Sequence, residues 1–587
     1  MSGLKKSQKK LQKLYGNKVC LKQDGVKLVL TGSLDYWQDV VNAGRIAADK
    51  KHGFYVVNDI ECTKENKTPI KLPTVKDSAI DGAEPDVLVI GAGVVGAAIA
   101  RELSRLDISI MQIDKEHDVA LHASSRNDGM VHPGIDLKKG QIKREYNMRG
   151  NAMYDKTCLE LCVPFKRTGQ NICFNKKWLS PIMRVAPLYW KHALGLPCKY
   201  VSRSEILTKE PMLAEDISCA LSFPTAGIVC PYGLTIAFEE NAVQNGVKLV
   251  LDTAVLSMHT ENGKIKSVLT NRGTVYPKVV INAAGVFSDD VAQMAGDRFF
   301  SIHPRRGTNF IMDKKSAYKV RTIASGIGTT ATKTTHSKGG GLVSTVDGNL
   351  LVGPDAVETI EKEDFATYAS SVHGTFAKQS VTLPSLKESE IITYFTGIRA
   401  ATYEEDFVIC KGKETQNIVH AAGIQSPGLT AAPAIAVDVA RMAEEILSNE
   451  QAVNQNKSFN PIRITIPHIA AMPLEERDEM IKKNPDYGVI VCRCEEVSKG
   501  EIIDAMHRCV PCDTVDGIKR RVRPGMGRCQ GGFCGPQITE IIAEEMSIAP
   551  ENVLKSGSGS NILYTEIIKY CTKTQSPRGQ AYDKRKL

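Results

Sequence analysis

Val87-Leu88-Val89-Ile90-Gly91-Ala92-Gly93-Val94-Val95-Gly96 decides how this 587-residue chain is read. Four apolar residues, too few for a helix, predict a buried parallel strand; the three glycines make a turn, and Val94 to Leu106 continue with helical spacing. The glycines differ in what they permit. Gly91 allows the tight turn, Gly93 lets a pyrophosphate approach the backbone, and Gly96 lets helix pack on strand. The helix N-terminus adds unpaired N–H groups and a partial positive charge for that phosphate. A second strand, 108–113, ends in Asp114, 18 residues beyond Gly96, where an acid binds a ribose hydroxyl. Strand, glycines, helix, strand and acid in register predict a dinucleotide site.

The length leaves room for several domains, and a 42% hydrophobic content is ordinary for a water-soluble chain. No run approaches the ~18 apolar residues that span a bilayer. The N-terminus is lysine-rich and has no apolar core, so no secretory leader is expected. Sixteen cysteines spread over this length point to a reducing cytoplasmic setting with a local metal site, not to a disulfide scaffold. The net charge of +9 gathers near the ends, at Lys5, Lys6, Lys9, Lys10 and Lys13 and at Arg578, Lys584, Arg585 and Lys586. Solvated tails are the plain reading, with at most peripheral contact to an acidic membrane. No aromatics interleave with the lysines, so nucleic acid is not an expected partner. The closing Arg585-Lys586-Leu587 only loosely matches a peroxisomal address.

Residues 1–62 form an N-terminal extension, with a strand at Val26–Leu30, a helix from Trp37 to Ala48 and a strand from Phe54 to Ile60. That small αβ module resembles a BON domain; an extension that packs on the enzyme or mediates self-association is the plain alternative. Pro69, Pro73, Gly82 and Pro85 among charges mark residues 63–85 as a linker. Beyond Asp114, the run from His122 to Gly134 is small, polar and glycine-punctuated, and suits a backbone threaded past a large planar cofactor. Val279 to Gly285 repeats the buried-strand pattern, and Gly423 to Thr430 precedes a helix from Ala431 to about Leu447, a second helix N-terminus for an anionic or carbonyl group. Contacts spread over more than 300 residues fit FAD better than nicotinamide.

These motifs resemble the D-amino-acid-oxidase-like superfamily of FAD enzymes, over residues 86–450. Pro224 to Pro231, Tyr394 to Arg399, Asp406-Phe407 and Gly423 to Thr430 look like family motifs, nearest to anaerobic-type flavin glycerol-3-phosphate dehydrogenases and L-2-hydroxyglutarate dehydrogenases. Asp347 stands where such relatives are expected to carry histidine, which leaves the substrate open. The resemblance implies an α/β chain with a Rossmann-like FAD domain interleaved with an α+β substrate domain, the latter drawn from Cys158–Glu215, Ile302–Asp313 and Leu342–Pro354. Gly91, Gly93, Gly96, Asp114, Ser125, Arg126, Asn127, Gly285, Gly423 and Gly428 are the expected FAD contacts.

Such an enzyme needs a cation for an acidic substrate and a group of near-neutral pKa beside the reacting hydroxyl. Arg399 is the first cation, with a structural pair to Glu404 or Asp406 as its other reading; Arg305 and Arg306 are the second pair. His132 is the first base, with loop hydrogen bonding as the alternative, and His303 and Asp406 stand behind it.

Pro461, Pro467, Pro473 and Pro485 mark residues 451–487 as a second linker. In 488–545, Cys492-Arg493-Cys494 and Cys529-Gln530-Gly531-Gly532-Phe533-Cys534 supply two close pairs of thiolates, suited to one metal or an iron–sulfur cluster. C-x-C is tight for one zinc ion. The pattern resembles the [2Fe–2S] domain of bacterioferritin-associated ferredoxins, strengthened by Arg523 to Arg528, with zinc or free thiols as the alternatives. Cys509 and Cys512 are competing ligands, a redox pair or plain thiols, and 546–587 is a tail. The expected function is an FAD-dependent dehydrogenase of sn-glycerol 3-phosphate that passes electrons through a [2Fe–2S] cluster to a protein or quinone. L-2-hydroxyglutarate or another 2-hydroxy or amino acid as substrate, and a non-catalytic flavin and iron–sulfur electron-transfer or redox-sensing protein, are the alternatives.

Overall fold

Val87–Ile90 lies third in a six-stranded sheet ordered Lys248–Val250, Ile110–Ile113, Val87–Ile90, Val279–Asn282, Ile418–Ala422, Val408–Lys411, parallel except for the last pair. The computed structural model describes residues 2–49, 53–327 and 340–563, so the basic residues from Arg578 onward lie outside the described residues. The chain divides into two units, Met1–Thr465 and Ile466–Leu587.

In the first unit, alternation along the central strands sends side chains to two cores. Val87, Val89, Val279, Ile281, Val419 and Ala421 join the helices Val94–Leu103 and Gly428–Leu447. Leu88, Ile90, Val280 and Ile418 instead meet Ile265, Val268 and Val275 of a three-stranded antiparallel sheet. Both faces are covered, which is why these strands read as continuous apolar runs. Where they meet, buried His420 bridges Asp297 (2.7 Å) and Asn282 (3.1 Å). The first helix stops at Leu103, three residues short of the expected end, and the helix expected from Ala431 begins at Gly428.

A nine-stranded sheet forms the second layer, in which Ile302–Met312 pairs antiparallel with Ile391–Thr402 and sets Arg305 directly opposite Arg399. This layer also contains the strands Gly341–Ser344 and Leu350–Gly353. Cys158, read as its start, instead sits in the helix Ile142–Glu160, buried in the nucleotide-side core.

The lysine-rich N-terminus is corrected from a solvated tail to the helix Ser2–Tyr15. Leu4, Leu11 and Tyr15 fall on one face and pack on the small core, while Lys5, Lys6, Lys9, Lys10 and Lys13 are exposed. Strands Val19–Asp24, Lys27–Leu34 and Tyr55–Cys62 and the helix Trp37–Ala47 complete this module. Residues 63–85 lie along the unit: Ile80 is buried, and the amide of Gly82 donates to the Thr274 carbonyl at 2.9 Å.

The second unit has the helices Leu474–Lys483, Lys499–Met506, Val515–Val522 and Gly535–Met546 and a hairpin of Ile490–Cys492 with Val497–Ser498. Val491, Ile502, Ile518, Ile538 and Ile542 form its core. Among the described residues no helix is long and apolar enough to cross a membrane.

Candidate active site and cysteine cluster

The glycine turn leaves no room for side chains. Gly91 has φ +109°, and a Cβ there would lie 2.5 Å from the Ala283 carbonyl oxygen. A Cβ on Gly96 would lie 1.9 Å from the carbonyl oxygen of Gly91, so helix and strand touch backbone to backbone. Gly93 opens the helix and faces a cavity of about 390 Å³ running between the two sheets. Ser124 closes the turn by accepting from the amide of Val94 at 2.8 Å. Asp114 is held against the same turn, accepting from the amides of Ala92 (2.6 Å) and Glu116 (2.9 Å). Burial raises the pKa of its carboxyl despite those two amides.

Other expected cofactor residues divide between wall and support. Arg126, Asn127, Gly285 and Gly428 line the cavity. The Arg126 guanidinium stacks 4.2 Å from the Phe365 ring, and Asn127 folds onto its own loop, donating to Ala123 and accepting from Gly129. Ser125 donates to the His122 carbonyl at 3.4 Å, and Gly423, with φ +65°, packs against Thr402; both stand behind the wall. His132 lines the cavity, its amide donating to Thr430 Oγ1 (2.8 Å) and its Nε2 3.3 Å from Ser426 Oγ.

Arg399 faces the same space. Its Nη2 donates to the Asp355 carbonyl at 3.0 Å, and it has no ion pair among the described residues. Gly307 makes the room, since a Cβ there would lie 2.4 Å from Arg399 Nη2. Burial, and then the neighbouring Arg305, lower the guanidinium's pKa, opposed by Asp128 and Asp355. A cavity-facing cation of this kind is a site for an anion. Arg305 also reaches the cavity, but its guanidinium is taken by Glu358 (2.7 Å) and Glu405 (2.5 Å). Arg306 pairs with Asp364 at 2.7 Å.

The reserve bases have other work. His303 is fully buried between Glu358 (2.8 Å) and the Thr402 carbonyl (3.2 Å), and Asp406 caps the helix Ile142–Glu160 through the amides of Ile142 and Lys143. Sequence reasoning missed Gln170, Asn309 and Ser325, which line the cavity from the nine-stranded sheet. Among the described residues Gln170 Oε1 and Asn309 Oδ1 are buried without a hydrogen-bond partner, as acceptors awaiting a ligand would be. Strand residues at ordinary alternating positions carry no motif; the one signal was Gly307, following two arginines. The glycine cradle, two helix N-termini and orphaned acceptors suit a long cofactor with a polar ring edge.

In the second unit Cys494 Sγ and Cys529 Sγ are 3.7 Å apart. Two thiolates sharing one tetrahedral metal at ~2.3 Å stand at about that separation. The Cys534 thiol and then the amides of Gly525, Glu495 and Cys494 pull the Cys492 pKa down to about 5, against its burial. A Cβ on Gly527 would lie 2.5 Å from Cys494 Cβ, so glycine is needed for the loop to wrap the pair. Cys512 is buried in the core and donates to the Ala505 carbonyl at 3.5 Å, whereas Cys509 is exposed.

Residues 86–442 match the family profile of FAD dependent oxidoreductases. The chain belongs to that family. Residues 490–544 match the BFD-like [2Fe-2S] binding domain, and the cofactors are FAD and a [2Fe–2S] cluster. Over 480 residues the chain is 37% identical to a glycerol 3-phosphate dehydrogenase of Caloramator mitchellensis, covering 81% of this chain and 98% of that one. It is 25% identical over 401 residues to an L-2-hydroxyglutarate dehydrogenase of Indibacter alkaliphilus, covering 61% and 98%. Among solved structures it resembles dithionite-reduced L-alpha-glycerophosphate oxidase of Mycoplasma pneumoniae with FAD bound, at a TM-score of 0.59 and 25% identity, over 65% of this chain and 98% of that one. Neither family match includes the N-terminal module.

Gly91→Ala puts a methyl against the Ala283 carbonyl in a left-handed backbone, so FAD retention is expected to fall on the order of tenfold or more. Flavin absorbance per chain after gel filtration measures this; a fully yellow variant would refute the cradle.

Proposed function

We propose that this oxidoreductase oxidises sn-glycerol 3-phosphate to dihydroxyacetone phosphate, the electrons leaving by way of the cluster-binding unit to an acceptor other than dioxygen. The observation that carries this is Arg399, a cavity-facing guanidinium without an ion pair among the described residues. Its planar fork suits a phosphate, and the Asp355 carbonyl and the absent side chain at Gly307 hold it open to one. Bound FAD supplies the two-electron acceptor for the carbon-bound hydrogen. In this reading His132, steadied by Thr430 and close to Ser426, takes the hydroxyl proton, and Ile323 and Val343 add apolar wall to the cavity. The 37% identical glycerol 3-phosphate dehydrogenase supports the substrate.

A second reading, an L-2-hydroxyglutarate or related hydroxy-acid dehydrogenase, is supported by the 25% identical L-2-hydroxyglutarate dehydrogenase. Anaerobic bleaching of the flavin separates the two. sn-Glycerol 3-phosphate is expected to reduce it within seconds and L-2-hydroxyglutarate not; the reverse order defeats the proposal. Arg399→Gln is expected to raise KM about a hundredfold, on the scale of a lost charge-assisted pair.

The acceptor side is served by peripheral contact with a cytoplasmic lipid surface, where a quinone is available and cluster thiolates stay reduced. Residues 161–204 contain eight Lys or Arg and no Asp or Glu. Within them, at and along the helix Ser180–Leu194, Trp178, Val185, Leu188 and Tyr189 are each at least 60% exposed. Apolar and aromatic side chains on a basic helix are the composition of an interfacial anchor. Sedimentation with phosphatidylglycerol–phosphatidylcholine vesicles is expected to carry down the protein, and Trp178→Ser with Leu188→Ser to weaken binding at least about fivefold. Binding that ignores the double substitution rejects this surface.

A further inference from the structure

The N-terminal module reaches the cationic site through one buried carboxylate. Arg45, in the last turn of the helix Trp37–Ala47, pairs through Nη2 with Glu358 Oε1. The same Oε1 accepts from Arg305 Nε at 2.7 Å, and Glu358 Oε2 meets His303 Nδ1 at 2.8 Å. Arg305 continues to Glu405, which also accepts from Gln425 Nε2 at 2.7 Å; Arg305, Glu405 and Gln425 all line the cavity. Burial opposes ionisation of Glu358, but His303, Arg305 and Arg45 hold its carboxyl down to about 2.

The remaining seam is as specific. A Cβ on Gly44 would lie 2.2 Å from the ring of Tyr403, a residue that completes the module's core and stacks on His303. Asn58 donates to Tyr403 Oη at 2.8 Å, the amide of Val56 donates to Glu404 Oε1 at 2.7 Å, and Asp59 pairs with Arg298 at 2.7 Å. Downstream, the amides of Thr68 and Lys71 donate to Glu361 Oε1 (3.0 Å) and Glu363 Oε2 (2.8 Å). The segment so clamped, 355–364, begins with Asp355, whose carbonyl holds Arg399.

Arg305 and Arg399 are cross-strand partners, so their side chains leave the same face of the sheet and repel. Glu358 and Glu405 absorb that repulsion, and where Glu358 stands is set jointly by Arg305, His303 and Arg45. We infer that residues 2–49 and 53–71 are a brace for the substrate anion site, in which Arg45 acts as a positioning residue through Glu358. Without Arg45, Glu358 keeps its negative charge with one cation fewer, and the field at Arg399 becomes less favourable to an anion. The effect belongs to anion binding and not to the transfer step.

This inference takes Arg399 as the anion anchor of the proposed function, and inorganic phosphate tests it without assuming the substrate. Full-length holoprotein is titrated with phosphate, followed by the flavin absorbance band, and assayed with sn-glycerol 3-phosphate and an artificial acceptor. Arg45→Gln is expected to raise the phosphate Kd and the substrate KM about five- to tenfold, with kcat changed less than about twofold. Arg45→Lys, which keeps the charge, is expected to recover most of the loss at an equal melting temperature. An unchanged phosphate Kd in Arg45→Gln overturns the brace. So does Arg45→Lys failing as badly as Arg45→Gln with both melting early, which makes the contact a structural seam only. If Arg45→Gln does not fold, Gly44→Ala displaces the helix while keeping its charge and is expected to weaken phosphate in the same direction; wild-type affinity there overturns the inference. Wild-type protein that binds phosphate but is not reduced by sn-glycerol 3-phosphate defeats the substrate reading alone, and the phosphate titration still judges the brace.

Discussion

A cavity-lining guanidinium with no ion pair among the described residues is the constraint around which the rest of this site is arranged. Arg399 lies over Gly307 because any side chain there would occupy its place, and it is tied to the chain by a carbonyl and not by a carboxylate. A cation that faces a cavity with no carboxylate partner favours an anionic ligand that compensates it. The long antiparallel pair Ile302–Met312 and Ile391–Thr402 holds that charge in place and brings Arg305 beside it. Neutralising Arg305 then requires Glu358 and Glu405, and with them the buried cluster of His303, Tyr403 and Arg45.

The nucleotide layer answers a different need. Its strands are apolar because both faces are covered, and its turn is glycine because backbone meets backbone. The glycine turn brings amides to the cavity wall and the nine-stranded sheet brings Arg399, with Gln170 and Asn309 supplying acceptors unpaired among the described residues. A long cofactor and a small acid are the two ligands such a division accommodates.

The first glycine turn, the strands around it and the paired cysteines were legible because each is a local pattern with one physical reading. Arg399 was legible as a cation, but not its lack of an ion pair among the described residues, which depends on strands far apart in sequence. Arg305 looked equally open, and only the register opposite Arg399 and the return of Glu358 and Glu405 reveal that it is paired. His303 and Asp406 had the right chemistry for a base, and tertiary burial assigned one to an ion-pair network and the other to a helix cap. The lysine-rich start reads as a tail because its charge is conspicuous and its apolar spacing, Leu4, Leu11 and Tyr15, is sparse. Cys512 illustrates the converse: a cysteine near ligands by sequence belongs to the core by packing.

The proposed function has Arg399 compensate the substrate's charge, and the other assignments around the cavity depend on that. A crystal structure of the photoreduced protein with sn-glycerol 3-phosphate tests it most directly. Phosphate oxygens within hydrogen-bonding reach of Arg399 Nη1 and Nη2, and the substrate hydroxyl turned toward His132, are the expected result. Phosphate bound elsewhere, with Arg399 left on the Asp355 carbonyl alone, would contradict it.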